Sequence, residues 1–191
     1  MLGVLLALGG CTDGERSEGS VQPATPASPA ASTADLYAAA DLDLCAKTDR
    51  APLADLKLTV RGTDPKPPPS APGSACLFEM RTADGHEASL RVEAATPSSA
   101  DQARQLYQAT ADVSGMSRDA AVTGLGEQAE GFAKQSDPGF KYAEYLIHAQ
   151  TGNLVVKVWL AVGGDSYVPK RTLAAAVREI AGATLQLVPK A

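Results

Sequence analysis

The chain has 191 residues, 45% of them hydrophobic and only 5% aromatic, and 17 Lys and Arg against 22 Asp and Glu give a formal charge of −5. With no cluster of basic residues, nucleic-acid binding and electrostatic adhesion to anionic lipid both lack their usual driving force. No apolar run approaches the ~20 residues that a membrane-spanning helix needs. The length suits one domain with a substantial core.

Residues 1–10 are apolar and end in Leu8-Gly9-Gly10 before Cys11. This resembles the lipobox of bacterial lipoproteins, in which small residues before the cysteine let a signal peptidase approach the backbone. The expectation is a signal peptide over 1–10 and a diacylglycerol thioether on Cys11. The protein is then exported and held on the outer face of the cell membrane, its membrane partner being the lipid anchor itself. Two acyl chains are enough for stable anchoring. A signal peptide also carries a positive n-region, yet the first cation is Arg16. Two plainer readings stay open: a start upstream of Met1, or an apolar N-terminus with a chance cysteine.

Cys11 opens a linker that runs to residue 33. Between 12 and 33, Val21 is the one aliphatic residue larger than alanine, and Pro23, Pro26 and Pro29 recur. Such a segment cannot bury enough apolar surface to offset its ordering entropy. As a coil it spans roughly 25–30 Å, enough to hold a domain clear of the headgroups. Residues 34–191 are read as one domain. With Cys11 assigned to lipid, Cys45 and Cys76 remain, and an oxidising compartment would join them. The alternative is two buried free thiols.

Asp41 to Leu56 reads as a short helical opening with Thr48 or Asp49 as N-cap, and Lys57 to Val60 as a strand. The proline-rich stretch from Asp64 to Gly73 is a loop, and its Pro65-to-Pro68 PxxP pattern is more simply extended loop than a recognition element. A hairpin follows. A three-residue turn, Ala83-Asp84-Gly85, sets Met80 against Ala88, Phe78 against Leu90, Cys76 against Val92 and Arg81 against Glu87. A one-residue slip would mismatch the apolar faces.

Ser98 and Ser99 start a helix to about Asp112, with Gly115 beyond it and Ala103, Leu106, Tyr107, Thr110 and Ala111 as its buried stripe. A third strand region lies near Glu127 to Gln135, after a Gly124-Leu125-Gly126 turn. In a second hairpin, a two-residue Thr151-Gly152 turn sets Ala143, Tyr145, Ile147 and Ala149 against Leu154, Val156, Val158 and Leu160 on one core face. Pro169 opens a last helix with Leu173, Ala176, Val177 and Ile180 at helical spacing. The result is α+β, a mainly antiparallel sheet of about six strands with helices packed on it in the order α-βββ-α-βββ-α.

Cys45 and Cys76, then Val122-Thr-Gly124-Leu-Gly126-Glu127-Gln-Ala129, then a hairpin and a closing amphipathic helix, resemble the actinobacterial exported lipoproteins of the DUF3558 type. The resemblance covers roughly residues 40–188 and implies an envelope lipoprotein of unassigned biochemical role. A looser similarity to extracellular sensor domains of mycobacterial receptor kinases implies binding of a ligand or partner.

Chemistry-bearing motifs are few. Neither His86 nor His148 has a Cys or carboxylate at metal-ligand spacing. Asp41 and Asp43 begin like a calcium loop but lack its glycine and its terminal glutamate. Gly124-Leu-Gly126 is too short for a phosphate cradle, and no G-x-S-x-G elbow exists. Glu127 and Glu130 read as surface acids. No catalytic residue, metal or cofactor is expected.

One feature asks for a function. On the face of the second hairpin opposite the core, Tyr142, Leu146 and His148 fall near Val155 and Trp159, with Glu144 and Lys157 among them. Exposed apolar patches with a few polar groups often mark binding sites; alternatively a helix or the entry segment covers this face and makes it a second core layer. The expectation is a non-catalytic binding module for a cell-envelope ligand or an exported protein. The alternatives are an accessory regulator of an envelope sensor system and an envelope hydrolase.

Overall fold

In the computed structural model, which describes residues 36–113 and 115–191, the chain folds into α1 (Leu44–Lys47), a 3-10 helix (Ala51–Leu56), β1 (Thr59–Pro65), β2 (Gly73–Arg81), β3 (Glu87–Ala95), α2 (Ala100–Val113), β4 (Ser117–Ala121), β5 (Gln128–Ser136), β6 (Lys141–Thr151), β7 (Leu154–Gly164) and α3 (Lys170–Leu187). The expected signal peptide, Cys11 and linker lie outside the described residues. The strands make one seven-stranded sheet in the order β1-β2-β3-β7-β6-β5-β4, with every neighbouring pair antiparallel. Two runs of hairpin-linked strands thus meet at β3 and β7, and α2 is the crossover between them. The fold is α+β.

The first hairpin adopts the expected register, with Cys76, Phe78, Met80 and Arg81 opposite Val92, Leu90, Ala88 and Glu87. Thr82 N–H bonds to the His86 carbonyl at 3.0 Å, closing a three-residue turn in which Gly85 takes φ +85°. Only glycine enters that left-handed region without cost.

The second hairpin turns one residue later than expected. Thr151 pairs with Leu154, so Gly152 and Asn153 make the turn, and Ala149, Ile147, Tyr145 and Ala143 face Val156, Val158, Leu160 and Val162. Moving a two-residue turn by one position slides the partner strand by two, which preserves the faces. The Asn153 side chain explains the choice. It is buried, donates to the carbonyls of Tyr37 at 3.1 Å and Pro97 at 2.9 Å, and accepts from Tyr37 N–H at 2.7 Å. That network joins the segment before α1 and the approach to α2 to the hairpin tip.

The sheet has a helix layer on each side. On the first face, α1 packs on β1 and β2, and α3 packs on β6, β7 and β3. Leu173, Ala176, Val177, Ile180, Ala181 and Thr184 of α3 are buried, one stripe at helical spacing. They meet Phe78, Leu90, Val92, Tyr145, Ile147, Val158 and Leu160 from the sheet. Cys45 of α1 is bonded to Cys76 of β2, with Cα atoms 5.1 Å apart, and ties the opening helix to the sheet. β7, Leu154–Gly164, sits mid-sheet and is buried along most of its length on both faces, which suits its Val-rich run.

Three local expectations change. Asp43, not Thr48 or Asp49, caps α1, accepting from Ala46 N–H at 3.0 Å; Thr48 closes that helix, and Asp49 accepts from Ala51 N–H at 2.9 Å ahead of the 3-10 helix. β1 runs to Pro65, into the expected loop, and Pro68 is buried, so the PxxP pair is not an open ligand. There are also seven strands rather than six, because Ser117–Ala121 forms edge strand β4. All five of its residues are exposed, so it carries no alternation to read. Both edge strands are bulged, β1 between Val60 and Gly62 and β4 between Arg118 and Ala120. Bulges and edge charges discourage further strand pairing.

Candidate binding face

The face opposite α3 is built in rows across strands distant in sequence. One row runs Arg91 (β3), Trp159 (β7), Leu146 (β6), Phe132 (β5); the next runs Glu93, Lys157, His148, Glu130. Trp159 pairs with Leu146 rather than with Glu144, a consequence of the shifted turn. The residues singled out from the sequence do share this face, but α2 divides them. Leu146, Val155 and His148 keep only 4%, 4% and 1% of their surface, whereas Tyr142 and Trp159 stay half-buried. Of the two readings of this face, an open patch or a covered second core layer, the second therefore holds for Leu146, His148 and Val155.

His148 marks the covered half. Tyr107 of α2 stacks on its ring at 4.5 Å between centroids and 19° between planes. Neither ring nitrogen has a hydrogen-bond partner among the described residues. Burial, reinforced by Lys157, pulls the imidazole down to about 3, and burial followed by the Glu130 charge pushes the Tyr107 phenol up to about 12. The pair is thus neutral at ordinary pH, as an apolar layer requires. Such a histidine is sealed from solvent and cannot serve an external substrate as a base.

The uncovered half keeps its polar groups in pairs. Trp159 donates its indole N–H to a Glu144 carboxylate oxygen at 3.1 Å, and Lys134 reaches the other oxygen at 4.0 Å. One row over, in the row of His148, the buried Glu93 lies between Arg91 at 2.9 Å and Lys157 at 3.5 Å. Ser89, two residues along β3 from the Trp159 neighbour Arg91, lines a cavity of about 250 Å³ with Arg61, Glu79 and Glu87. At the far end Phe140 packs edge-on against Tyr142, their centroids 5.9 Å apart, and tilts against His86 at 5.7 Å. Burial and the neighbouring Glu144 and Glu87 charges raise the Tyr142 phenol above its ordinary value.

Arg91, Glu93 and Tyr107 were not legible as members of this site. Arg91 and Glu93 read as the wet side of a separate hairpin, and nothing in the order of elements announces that β3 pairs with β7.

Other polar clusters lie elsewhere. A cavity of about 440 Å³ on the α3 side is lined by Ala133, Ala143, Val168, Lys170 and Leu173 among others. Near it Lys170 is ion-paired with Asp119, which also accepts from the Tyr145 hydroxyl at 3.0 Å. Another, of about 550 Å³, lies between the 3-10 helix and α3, and a third, of about 350 Å³, beside Leu53 and Met80. Trp159 lines none of these four cavities. His86 faces Asp165 at 3.1 Å. Glu127 accepts from Gly152 N–H at 2.9 Å, and Glu130 is paired with Arg118 at 3.1 Å, so neither is a free surface acid. Among the described residues, no three His, Cys, Asp or Glu side chains converge to hold a metal. No described helix is long and apolar enough to cross a membrane.

No protein-family model matches the chain, and no curated protein matches it. Among solved structures, the chain is similar to the extracellular domain of PknH from Mycobacterium tuberculosis, with a TM-score of 0.39 and 12% identity over 72% of this chain and 89% of that one.

Proposed function

We propose that the chain is an extracytoplasmic lipoprotein of the DUF3558 type, anchored through Cys11 to the outer face of the cell membrane. In this reading it is a non-catalytic module that binds a cell-envelope ligand or an exported protein through the uncovered half of the α2-side face. The observation that carries the binding reading is Trp159, half-exposed on the α2-side face beside ordered polar pairs. The Cys45–Cys76 bond supports the compartment, because such bonds persist in oxidising surroundings. A second reading, an accessory regulator that acts by protein contact alone, is favoured by the absence of Trp159 from all four cavities described above.

The anchor is tested by fractionating cells that express Cys11→Ala; the variant should leave the membrane fraction, and continued attachment would overturn the anchor. The face is tested in intact cells with a photoreactive phenylalanine at Ser89 and, as control, at Glu179, exposed on α3. Adducts formed at Ser89 and not at Glu179 support the face. The same pattern at both positions overturns it.

A further inference from the structure

We propose that the cavity of about 350 Å³ between the 3-10 helix and β1 binds a single-chain amphiphile with an anionic head, a carboxylate met by Lys57 and Arg50 on an apolar stem laid along Leu53, Leu58, Val60 and Met80. This is a second site. It lies on the α3 side of the sheet, the side of Phe78 and Met80, and does not rest on the Trp159 reading above.

The floor of this cavity is apolar. Leu53 and Met80 are buried, whereas Leu58 and Val60 stay half-buried, so water meets hydrocarbon that an apolar stem would cover. The charged residues that line it are both cations, Arg50 and Lys57, and both are exposed. Across the sheet, cations face carboxylates: Arg91 and Lys157 hold Glu93, Arg118 holds Glu130, and Lys134 reaches Glu144. Among the described residues neither Arg50 nor Lys57 has such a partner. Of the acids nearest in sequence, Asp49 accepts from Ala51 N–H, and Asp55 lines the separate cavity against α3. Arg50 rests over the buried Phe78 ring, 5.2 Å from its centroid, a contact that uses none of its N–H groups. An anionic head would complete this pair of cations.

The backbone at Lys57 is an independent sign. Lys57 caps the C-terminus of the 3-10 helix at φ +50°, and it is the one non-glycine residue at positive φ among the described residues. Glycine or asparagine usually takes such a position, because a Cβ is disfavoured there. Here a lysine takes it, and its exposed side chain lines the cavity. Strain kept at a residue of this kind points to function. The volume is at the small end for ligand sites and suits a stem of about eight to twelve carbons rather than a two-chain lipid.

The test uses the full chain carrying Cys11→Ala, titrated with decanoate below its micelle concentration, and with decyltrimethylammonium and acetate as comparisons. Binding is read by isothermal titration calorimetry and by the methionine methyl signals in NMR, since Met80 lines the cavity and Met116 does not. Decanoate should saturate below about 1 mM and shift the Met80 signal selectively. Arg50→Gln and Lys57→Gly should each weaken binding by about fivefold. Lys57→Gly also separates binding from folding. Glycine takes the left-handed position without strain, so this variant should melt no lower than the parent while binding less. No saturation up to about 10 mM, equal binding of decyltrimethylammonium or acetate, or an unmoved Met80 signal overturns the proposal. Undiminished binding by both variants overturns it as well. Phosphatidylglycerol vesicles distinguish a free amphiphile from a bilayer surface: sedimentation of the chain with vesicles, without binding of decanoate, overturns the proposal in favour of the surface. Crosslinking from Ser89 bears on the Trp159 face alone, so either reading can fail without the other.

Discussion

Trp159 on β7 gives its indole N–H to Glu144 on β6 at 3.1 Å, although the residue directly across the sheet from it is Leu146. The diagonal bond orients the ring within the uncovered half of the face. Replacing Glu144 with Ala should free the indole edge, lowering the fluorescence anisotropy of the sole tryptophan and raising its acrylamide quenching. Stability should fall by about 1 kcal/mol, the usual net worth of a hydrogen bond. Glu144→Gln, which keeps an acceptor oxygen, should leave the anisotropy near that of the parent. An unchanged signal in the alanine variant would mean that this bond does not hold the ring.

The buried His148 imposes a cost in acid. Its imidazole titrates near the ordinary 6.5 in the unfolded chain but near 3 in the folded one, because burial and then Lys157 disfavour the charged form. Between those values the unfolded state binds more protons. The contribution is therefore complete above pH 6.5 and is lost as pH falls toward 3, at up to about 1.4 kcal/mol per pH unit. His148→Phe retains a ring under Tyr107 and removes the titration. Urea unfolding from pH 7 to pH 4 should show a shallower loss in the variant, and parallel curves for the two proteins would rule this account out.

Gly131 lets Tyr145 reach Asp119. A Cβ at Gly131 would collide with the Tyr145 hydroxyl, and that hydroxyl donates to Asp119 at 3.0 Å. Gly131→Ala should displace the phenol, break the bond and destabilise the domain by about 1–3 kcal/mol. Tyr145→Phe removes the clashing oxygen, so the double variant should lose less than the sum of the two single losses. Additive losses in denaturant melts would show that the two residues do not collide.

The Cys45–Cys76 bond closes a loop of sequence separation 31. Thiol labelling of the unreduced Cys11→Ala chain should find no free cysteine. Replacing both Cys45 and Cys76 with Ala should cost about 3–4 kcal/mol in the chain-entropy model. For a domain of this size that lowers Tm by roughly 8–15 °C. A melting temperature unchanged in the double variant would mean that the packing of α1 on β2 is independent of the bond.

Local pattern carried much of this fold. The alternation of Cys76, Phe78 and Met80 against Ala88, Leu90 and Val92 set the register of the first hairpin, since a slip by one residue turns every side chain to the wrong face. The helical spacing of Leu173, Ala176, Val177 and Ile180 marked α3, and the cysteine pair marked a crosslink. These signals arise within a few residues or from residue type alone. Tertiary structure decided the rest. β4 has no buried residue and is a strand only because β5 offers it a ladder. The turn at Gly152-Asn153 was chosen by carbonyls of Tyr37 and Pro97, distant along the chain. That the His148 part of the Trp159 face is covered depends on where α2 crosses the sheet, stacking Tyr107 on His148. Periodicity tells which residues share a face, because it is a property of one strand; what covers that face depends on a packing partner that no local pattern specifies.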